Sequence, residues 1–296
     1  MNPLTRLRAA LFPALAAAAA LAGCATAPAP EAPTCPTAAE TAELVRRYVA
    51  LETVPNPPAT MSAEGAACGA RKFVAALAPT HGTVVGYKAG LTNPVVQQRF
   101  GVNTPLRGTL LQKMMLEDGA VVPAKFGARP FVEPDLVVEV GSSAVHDAQT
   151  PQQVLAALRS VRPFIELPDT LVADPSKINA ATLVSINVGA RLGVLGKPVP
   201  VRADGAFADA LREMTVRATD ANGKELAVAK GAAILGHPLN AVTWIAADLK
   251  KAGITLKPGD LLSLGAFGNL PAQAGNGVRV VYEGLPGNPS VAVNFR

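Results

Sequence analysis

The chain has 296 residues and a formal net charge of +5, of which Arg6 and Arg8 contribute two charges at the very start. The other basic residues are scattered and aromatic residues make up only 4%, which is not the composition of a nucleic-acid-binding surface. The length is sufficient for one substantial hydrophobic core, or for such a core with a small additional lobe.

Residues 1–23 have the pattern of an export signal. The two arginines precede an apolar run at 11–21, which is short for a membrane-spanning helix. The run ends in Leu-Ala-Gly-Cys, which resembles a bacterial lipobox. This resemblance implies that Cys24 is lipidated and that Ala25 directs the protein to the outer membrane, facing the periplasm. An ordinary signal peptide with a chance cysteine is the alternative.

The segment 24–37 is rich in Pro, Ala and Thr, and we predict a flexible tether there. No later segment is apolar for long enough to span a bilayer, so the membrane would be reached only through the lipid. Two further cysteines remain, Cys35 and Cys68. In an exported protein they can form a disulfide that ties the tether to an early helix, or they can stay unpaired.

The spacing of apolar residues predicts a helical N-terminal lobe at 38–80, followed by a second region at 81–296 with short strands and glycine-rich turns. Because helices are inserted irregularly between runs of strands, we predict an α+β fold. The predicted helices cover 38–51, 62–77, 94–100, a segment that begins at Thr150 and includes Leu158 on its apolar face, and 238–252. The predicted strands cover 83–89, 131–140, 161–167, 181–195, 260–264, 277–283 and 290–295.

Three acids lie on two of these strands. Glu133 and Asp135 are two residues apart, so their side chains project from the same face, and Glu166 follows on another apolar strand. A carboxylate buried among Val, Leu and Phe is costly unless a cation or hydrogen bonds satisfy it. Three hard oxygen donors that meet at one point would suit Mg²⁺ or Mn²⁺. Singly, each acid could be an ordinary strand residue, and Glu166 could pair with Arg162.

Several stretches then resemble one family. The segments 85–92, 101–110, 236–245 and 257–265, together with Ile165-Glu166 and Asp169, are similar to those of 2-keto-4-pentenoate hydratases, in the fumarylacetoacetate hydrolase superfamily. The resemblance implies a mixed β-roll around a divalent cation, with a small N-terminal helical lobe. It also implies a small 2-oxo or 2-hydroxy-dienoic acid as substrate. Relatives form multimers, so a homo-oligomer is an expectation from the same source.

The family's site residues carry over onto this chain. Its metal ligands fall on Glu133, Asp135 and Glu166, where Asp135 is one methylene shorter than the family's glutamate. Lys88 aligns with the active-site lysine, which can pair with the substrate carboxylate or move a proton. A surface lysine at a strand end is the simpler alternative for Lys88.

The resemblance also implies substrate contacts by Arg107, Asn187 and Ser263, although an arginine in a solvated loop and an ordinary strand serine are the alternatives. Further positions depart from the family, and one of them is Ile186, which stands where the family has an acid before the asparagine. Leu106 stands where the family has an acid, and leucine cannot transfer a proton. Gly189 stands where the family has a small hydroxyl residue after the asparagine.

Other hydrolytic chemistries are disfavoured. All three histidines lie at or after residue 81, which argues against the His–Glu water activation of the superfamily's hydrolases, and His237 has the position of a helix cap or a core residue. No Gly-x-Ser-x-Gly motif is present. We therefore predict a lipid-anchored, divalent-metal-dependent hydratase. The alternatives are a 4-oxalocrotonate decarboxylase-like enzyme and a catalytically degenerate binding protein, which Leu106 and Asp135 favour.

Overall fold

The computed structural model describes residues 35–296. The predicted signal peptide at 1–23, the predicted lipidation site Cys24 and most of the predicted tether at 24–37 lie outside the described residues. Within the described part, none of the helices has the length and apolar character needed to cross a membrane.

Two helices form the N-terminal part of this structure. Helix α1 spans Ala38–Ala50 and begins with a capping box, in which the Thr37 and Glu40 side chains each bond the other's backbone N–H. Helix α2 spans Ala63–His81, and the Ser62 hydroxyl accepts a hydrogen bond from the backbone of the first turn. Both predicted helices are confirmed.

A disulfide joins Cys35 to Cys68, with their Cα atoms 5.5 Å apart. Of the two alternatives open from the sequence, the bridge is the one observed. The Lys72 ammonium, one turn further along α2, donates a hydrogen bond to the carbonyl of Pro36 at 2.9 Å. The start of the described chain is therefore fastened to α2 by one covalent bond and one hydrogen bond.

The remaining elements alternate strands with short helices. The strands are β1 Val84–Gly90, β2 Leu106–Leu111, β3 Met115–Glu117, β4 Ala120–Val122, β5 Glu133–Val140, β6 Leu158–Leu167, β7 Leu192–Leu195, β8 Val199–Pro200, β9 Thr215–Asp220, β10 Glu225–Lys230, β11 Leu261–Ser263, β12 Gly277–Glu283 and β13 Ser290–Phe295. The helices are α3 Pro94–Arg99, α4 Pro151–Ala156, α5 Ala180–Ser185, α6 Gly205–Glu213 and α7 Pro238–Lys251.

The strands form two mixed sheets. The first has the order β2-β1-β11-β5-β6-β7-β3, with β8 paired to β6, and the second has the order β10-β9-β12-β13-β4. Strands β2 and β3 occupy opposite edges of the first sheet, yet only the 3₁₀ turn Gln112–Met114 separates them in the chain. The first sheet must therefore curl, as the predicted mixed β-roll requires.

Helices α4 and α7 cover one face of the curled sheet. Thr150 and Gln153 form the predicted capping box of α4, but this helix ends at Ala156, so Leu158 opens strand β6 and does not lie on the helix. Helix α7 begins at Pro238, and the ring of His237 accepts a hydrogen bond from the backbone N–H of Leu239 at 3.0 Å. His237 is thus a capping residue, as predicted.

A smaller core cluster joins the N-terminal helices to strand β2. Phe73 and Leu77 of α2 are fully buried against Leu110 and Leu111, and Ile186 closes the cluster. The division of the chain at residue 81 stays a prediction.

The strand predicted at 181–195 is also wrong. The segment 181–195 was expected to be a strand interrupted by glycines, because it is apolar throughout. The structure instead has helix α5, whose cap Asn179 accepts a hydrogen bond from the N–H of Thr182 at 2.8 Å, and only Leu192–Leu195 is extended. Between these two elements the backbone makes a left-handed turn.

Candidate active site

The register of the curled sheet brings polar residues from four strands to one face. In β5 and β6, Glu133 lies directly opposite Glu166, and Asp135 follows two residues later on the same face. In β1 and β11, Lys88 lies opposite Ser263. We call Lys88, Glu133, Asp135 and Glu166 the acid–lysine cluster.

Lys88 and Glu166 form an ion pair in the interior. Their residues are 3% and 2% exposed, and the ammonium Nζ contacts the carboxylate Oε1. Oε1 is buried and has no other hydrogen-bond partner among the described residues, so the Lys88 ammonium is what neutralises it. Burial alone would lower the pKa of Lys88, but the charges of Glu166 and Glu133 outweigh it and raise this pKa above its ordinary value. Lys88 is therefore a cation and a hydrogen-bond donor.

Glu133 is half-buried and is the most accessible acid of the cluster. Burial and the negative charge of Glu166 together raise the pKa of Glu133 to about 8, although the ammonium of Lys88 opposes both effects. The cluster thus holds more negative charge than one lysine compensates.

Asp135 is fully buried and well hydrogen-bonded. Its Oδ2 accepts from the Ser263 hydroxyl at 2.7 Å, and its Oδ1 accepts from the backbone N–H groups of Gly265, at 2.9 Å, and Leu136. Burial raises the pKa of Asp135 to about 7, helped by Glu166 and opposed by these three donors. Ser263 therefore lies in the predicted site, but in this structure its hydroxyl orients Asp135.

Tyr282 on β12 reaches from the second sheet to the strands that carry the acids. Its side chain is fully buried, and its hydroxyl accepts a hydrogen bond from the N–H of Phe164 at 3.2 Å and contacts the carbonyl oxygens of Phe164 and Asp135. Because Phe164 and Asp135 are paired residues of β6 and β5, this hydroxyl fixes the strand pair directly behind the Asp135 carboxylate. No signal in the sequence indicated this role.

Removal of this hydroxyl is expected to destabilise the fold. Tyr282→Phe removes the acceptor of the buried N–H of Phe164. We therefore expect the free energy of unfolding to fall by about 1–3 kcal/mol. Urea denaturation measures the change. Tyr48→Phe is the matched control, since the edge-on contact of its ring with Phe73 at 5.4 Å is kept in phenylalanine. Equal midpoints for the two variants would contradict the role of Tyr282.

The structure places the side chain of Asn187 against strand β2. This residue is 2% exposed, its Oδ1 accepts from the N–H of Thr109 at 2.7 Å and its Nδ2 donates to the carbonyl of Thr109 at 2.8 Å. The amide group is thus bound to strand β2. The next residue, Val188, presents its carbonyl to the ammonium of Lys88 at 3.1 Å.

Arg107 also lies away from the acid–lysine cluster. It pairs with Ala89, the neighbour of Lys88, so its side chain projects from the opposite face of the sheet. There the guanidinium forms an ion pair with Asp248 of α7 at 2.5 Å. The structure therefore does not bring Arg107 to the place where it was predicted to bind substrate.

Leu106, by contrast, lies on the cluster's face. It pairs with Gly90, which is two residues from Lys88 and hence on the same side of strand β1. Its side chain is half-buried. The position at which the resemblance implies an acid therefore faces the cluster with an apolar side chain.

Asp169 has a structural role. Its carboxylate accepts from the backbone N–H groups of Ala128, Arg129 and Leu171, and pairs with the buried guanidinium of Arg191 at 3.2 Å. All of these contacts hold the segments around the cluster, and none reaches Lys88.

Two cavities in the described part of the chain lie away from the cluster. One of about 160 Å³ is lined by Asp220, Lys224 and Asn276 of the second sheet, and another lies beside Asp147. Among the four residues of the cluster, Glu133 is the most accessible.

The donor set of the cluster suits a hard divalent cation. Three carboxylates face one ammonium, and one buried oxygen of Glu166 has no partner beyond its ion pair with Lys88. Over residues 35–296, however, no group of three or more acid, histidine or cysteine side chains is already arranged to coordinate a metal ion. Metal binding at Glu133, Asp135 and Glu166 thus requires their side chains to rearrange around the ion.

Comparisons with known proteins identify the family. No protein-family model matches the chain. A 2-keto-4-pentenoate hydratase from Paraburkholderia xenovorans (strain LB400) is 33% identical over 189 residues, which cover 64% of this chain and 68% of that protein. The chain belongs to the 2-keto-4-pentenoate hydratase family. This confirms the family that the motifs predicted.

Two further relatives agree with this 2-keto-4-pentenoate hydratase family assignment. A 2-hydroxyhexa-2,4-dienoate hydratase from Comamonas testosteroni is 33% identical over 207 residues, 68% of this chain and 75% of that protein. The solved structure of 4-oxalocrotonate decarboxylase from Pseudomonas putida G7, complexed with magnesium and adipate, has a TM-score of 0.73 at 23% identity and covers 86% of this chain and 95% of that one. The latter likeness confirms the predicted fold.

Proposed function

We propose that the protein is a divalent-metal-dependent hydratase of a small 2-hydroxy-dienoic or 2-oxo acid. The observation that carries this proposal is the acid–lysine cluster on one face of the curled sheet, in a chain of the 2-keto-4-pentenoate hydratase family. The curated relatives are named as hydratases of such acids, and the structurally similar decarboxylase is complexed with magnesium.

The residues of this chain have distinct parts in that chemistry. Glu133, Asp135 and Glu166 would hold Mg²⁺ or Mn²⁺, which when bound supplies Lewis-acid stabilisation of negative charge on the substrate's oxygens. Lys88 keeps its proton, so its Nζ donates to the carboxylate of the substrate and orients it. Ser263 holds the carboxylate of Asp135 in its orientation.

The direct test is a turnover assay with the purified domain. Consumption of 2-hydroxypenta-2,4-dienoate is followed by the loss of its diene absorbance, with Mg²⁺ or Mn²⁺ and again after EDTA treatment. We expect turnover only with metal, and 4-hydroxy-2-oxopentanoate as product. Metal binding without turnover of any dienoate would instead favour a binding protein on this scaffold.

A 4-oxalocrotonate decarboxylase-like activity is the second candidate, and Leu106 favours it. Hydration requires a group that takes a proton from water, and Leu106 puts an apolar side chain at the position where the resemblance implies an acid. Decarboxylation needs no activated water, because the bond to the carboxyl carbon breaks and leaves its electrons on the enolate. Release of carbon dioxide from 4-oxalocrotonate distinguishes the two.

Restoration of the acid should separate these candidates further. Leu106→Glu is expected to raise the hydration rate by about 100-fold, the lower range for a positioned acid–base group. Leu106→Gln is the matched control, since it has a similar size but cannot transfer the proton. Both variants are assayed for dienoate consumption and carbon dioxide release. Equal hydration by the two variants would show that position 106 does not serve as the acid site.

The metal-free protein should lose stability as the pH rises. Burial raises the pKa of Glu133 to about 8 and that of Asp135 to about 7, from 4.5 and 3.8. Since the folded state keeps protons that the unfolded state has lost, stability is greatest at low pH and declines as the pH approaches these raised values.

Urea midpoints between roughly pH 5 and pH 9, with EDTA or with Mg²⁺, check this dependence. We expect the decline in EDTA and a progressively larger stabilisation by Mg²⁺ at higher pH, because the metal binds the deprotonated carboxylates. In Glu133→Gln the decline should be shallower. A stability that rises with pH in EDTA would contradict the raised pKa values of Glu133 and Asp135.

We also propose that the protein is anchored by lipid at Cys24 in the outer membrane, facing the periplasm. The lipobox-like sequence supports the anchor, and the Cys35–Cys68 disulfide is typical of proteins in oxidising compartments. Labelled palmitate incorporated by the full-length protein, and not by its Cys24→Ala variant, tests the anchor. A homo-oligomer stays an expectation from the resemblance.

A further inference from the structure

The turn between α5 and β7 contains three successive residues in the left-handed region. The φ angles are +56° at Asn187, +53° at Val188 and +68° at Gly189. Glycine adopts this conformation freely and asparagine tolerates it, but a β-branched valine there is an outlier. The left-handed region is unfavourable for an ordinary residue, so the turn persists only because its surroundings impose this conformation.

Two contacts impose the conformation from either side of Val188. Before it, the side-chain amide of Asn187 bonds both backbone groups of Thr109 in β2, at 2.7 and 2.8 Å. After it, the carbonyl of Gly189 accepts a hydrogen bond from the N–H of Asp169 at 2.9 Å. The strained residue is thus held at both ends by neighbouring backbone.

The packing around Val188 connects this turn to Lys88. Its carbonyl oxygen accepts a hydrogen bond from Lys88 Nζ at 3.1 Å. Its side chain fills the space above Gly90, where an added Cβ would lie only 2.5 Å from the valine Cγ1. The carbonyl and the ion-pair partner Glu166 therefore hold the same ammonium.

We propose that Val188 is a positioning residue for Lys88. The strained turn fixes the direction of the Val188 carbonyl, which restricts the lysine side chain and keeps its ammonium at the acid–lysine cluster. Val188 itself touches no reacting atom, and its value for catalysis rests on the proposed function. The effect of Val188 on the location of Lys88 does not depend on the proposed function.

A matched pair of substitutions isolates the backbone conformation. Val188→Asn and Val188→Gly both remove the valine side chain, but asparagine still favours the left-handed region locally, whereas glycine allows many alternatives. We expect Val188→Asn to retain turnover within a few-fold. In Val188→Gly we expect kcat to fall by about tenfold or more, since small displacements of catalytic groups have effects of this size.

The second readout is the exposure of Lys88 itself. A brief pulse of a lysine-acylating reagent, with the Lys88 peptide quantified by mass spectrometry, should show about tenfold faster modification in Val188→Gly than in Val188→Asn, as expected for easier local opening. Asn187→Gly keeps a residue that accepts positive φ but removes the bonds to Thr109, and it should expose Lys88 similarly if Val188→Gly does not fold.

The outcomes separate the two proposals. If the wild-type protein turns over no dienoate but the variants label as expected, the positioning role stands and the proposed hydratase function fails. If wild type, Val188→Gly and Asn187→Gly all label Lys88 at one rate while remaining folded by urea denaturation, Val188 does not position the lysine and this inference is overturned.

Discussion

Lys88→Met is expected to lower turnover by about 100- to 10,000-fold, the range seen when a positioned acid–base or charged group is removed. The same change should destabilise the metal-free protein by about 3–5 kcal/mol at a pH where Glu166 is ionised, because it leaves a buried carboxylate without its cation. Turnover assays and urea denaturation in EDTA measure the two effects.

A double-mutant cycle separates the charge effect from the loss of packing. Glu166→Gln combined with Lys88→Met removes both charges, so the double variant should recover much of the stability lost in Lys88→Met while remaining inactive. If the double variant is as unstable as the sum of the single variants, the ion pair makes no net contribution and the interior is held by packing alone.

Glu133→Gln is expected to weaken Mg²⁺ binding by more than about 100-fold. Loss of a partner that merely orients a metal ligand already costs 10- to 100-fold, and here an oxygen ligand loses its charge. Glu133 is half-buried and has no ion-pair partner among the described residues, so the fold should tolerate the change. Isothermal titration calorimetry with Mg²⁺ and Mn²⁺ measures the affinity.

The control for this experiment lies on the same strand. Glu139→Gln changes an acid six residues further along β5, where the carboxylate pairs with Arg159 at 2.8 Å. This variant should bind Mg²⁺ like the wild type and should also show the same rise in unfolding temperature with metal. Unchanged affinity in Glu133→Gln would remove Glu133 from the ligand set.

The relation of the acids to one another was predictable from the sequence. Side chains two residues apart on a strand share a face, so Glu133 and Asp135 could be placed together without knowledge of the fold. The pairing of Glu133 with Glu166 depends on the register of β5 and β6, which the sequence pattern does not specify. Their convergence was therefore implied by the family resemblance rather than by the strand pattern.

The positions that the structure gives to Arg107 and Asn187 could not be predicted from the sequence, for different reasons. Arg107 projects from the other face because β2 pairs with β1 in a particular register, and the 15 residues between these strands leave that register open in the sequence. Asn187 was expected to contact substrate, but it lies in a left-handed turn. Apolar periodicity cannot reveal such a turn, because its conformation is imposed by contacts with Thr109 and Asp169, which are distant in sequence.

The contacts of the Tyr282 hydroxyl could not be predicted from the sequence either. A buried tyrosine on an apolar strand is predicted to belong to a core, and Tyr282 does. Its hydroxyl bonds a strand pair more than 100 residues earlier in the chain. This contact follows only from the packing of the two sheets.

Parallel pairing of β1 with β11 joins segments about 170 residues apart, and it places Lys88 beside Ser263. Pairings between such remote segments form slowly, because a large loop must close before any favourable contact compensates it. A nascent polypeptide that ends before residue 263 lacks the strand on which this pairing depends. We therefore expect catalytic competence to arise only once strand β11 has been synthesised, and deletion of residues 261–263 to abolish it abruptly.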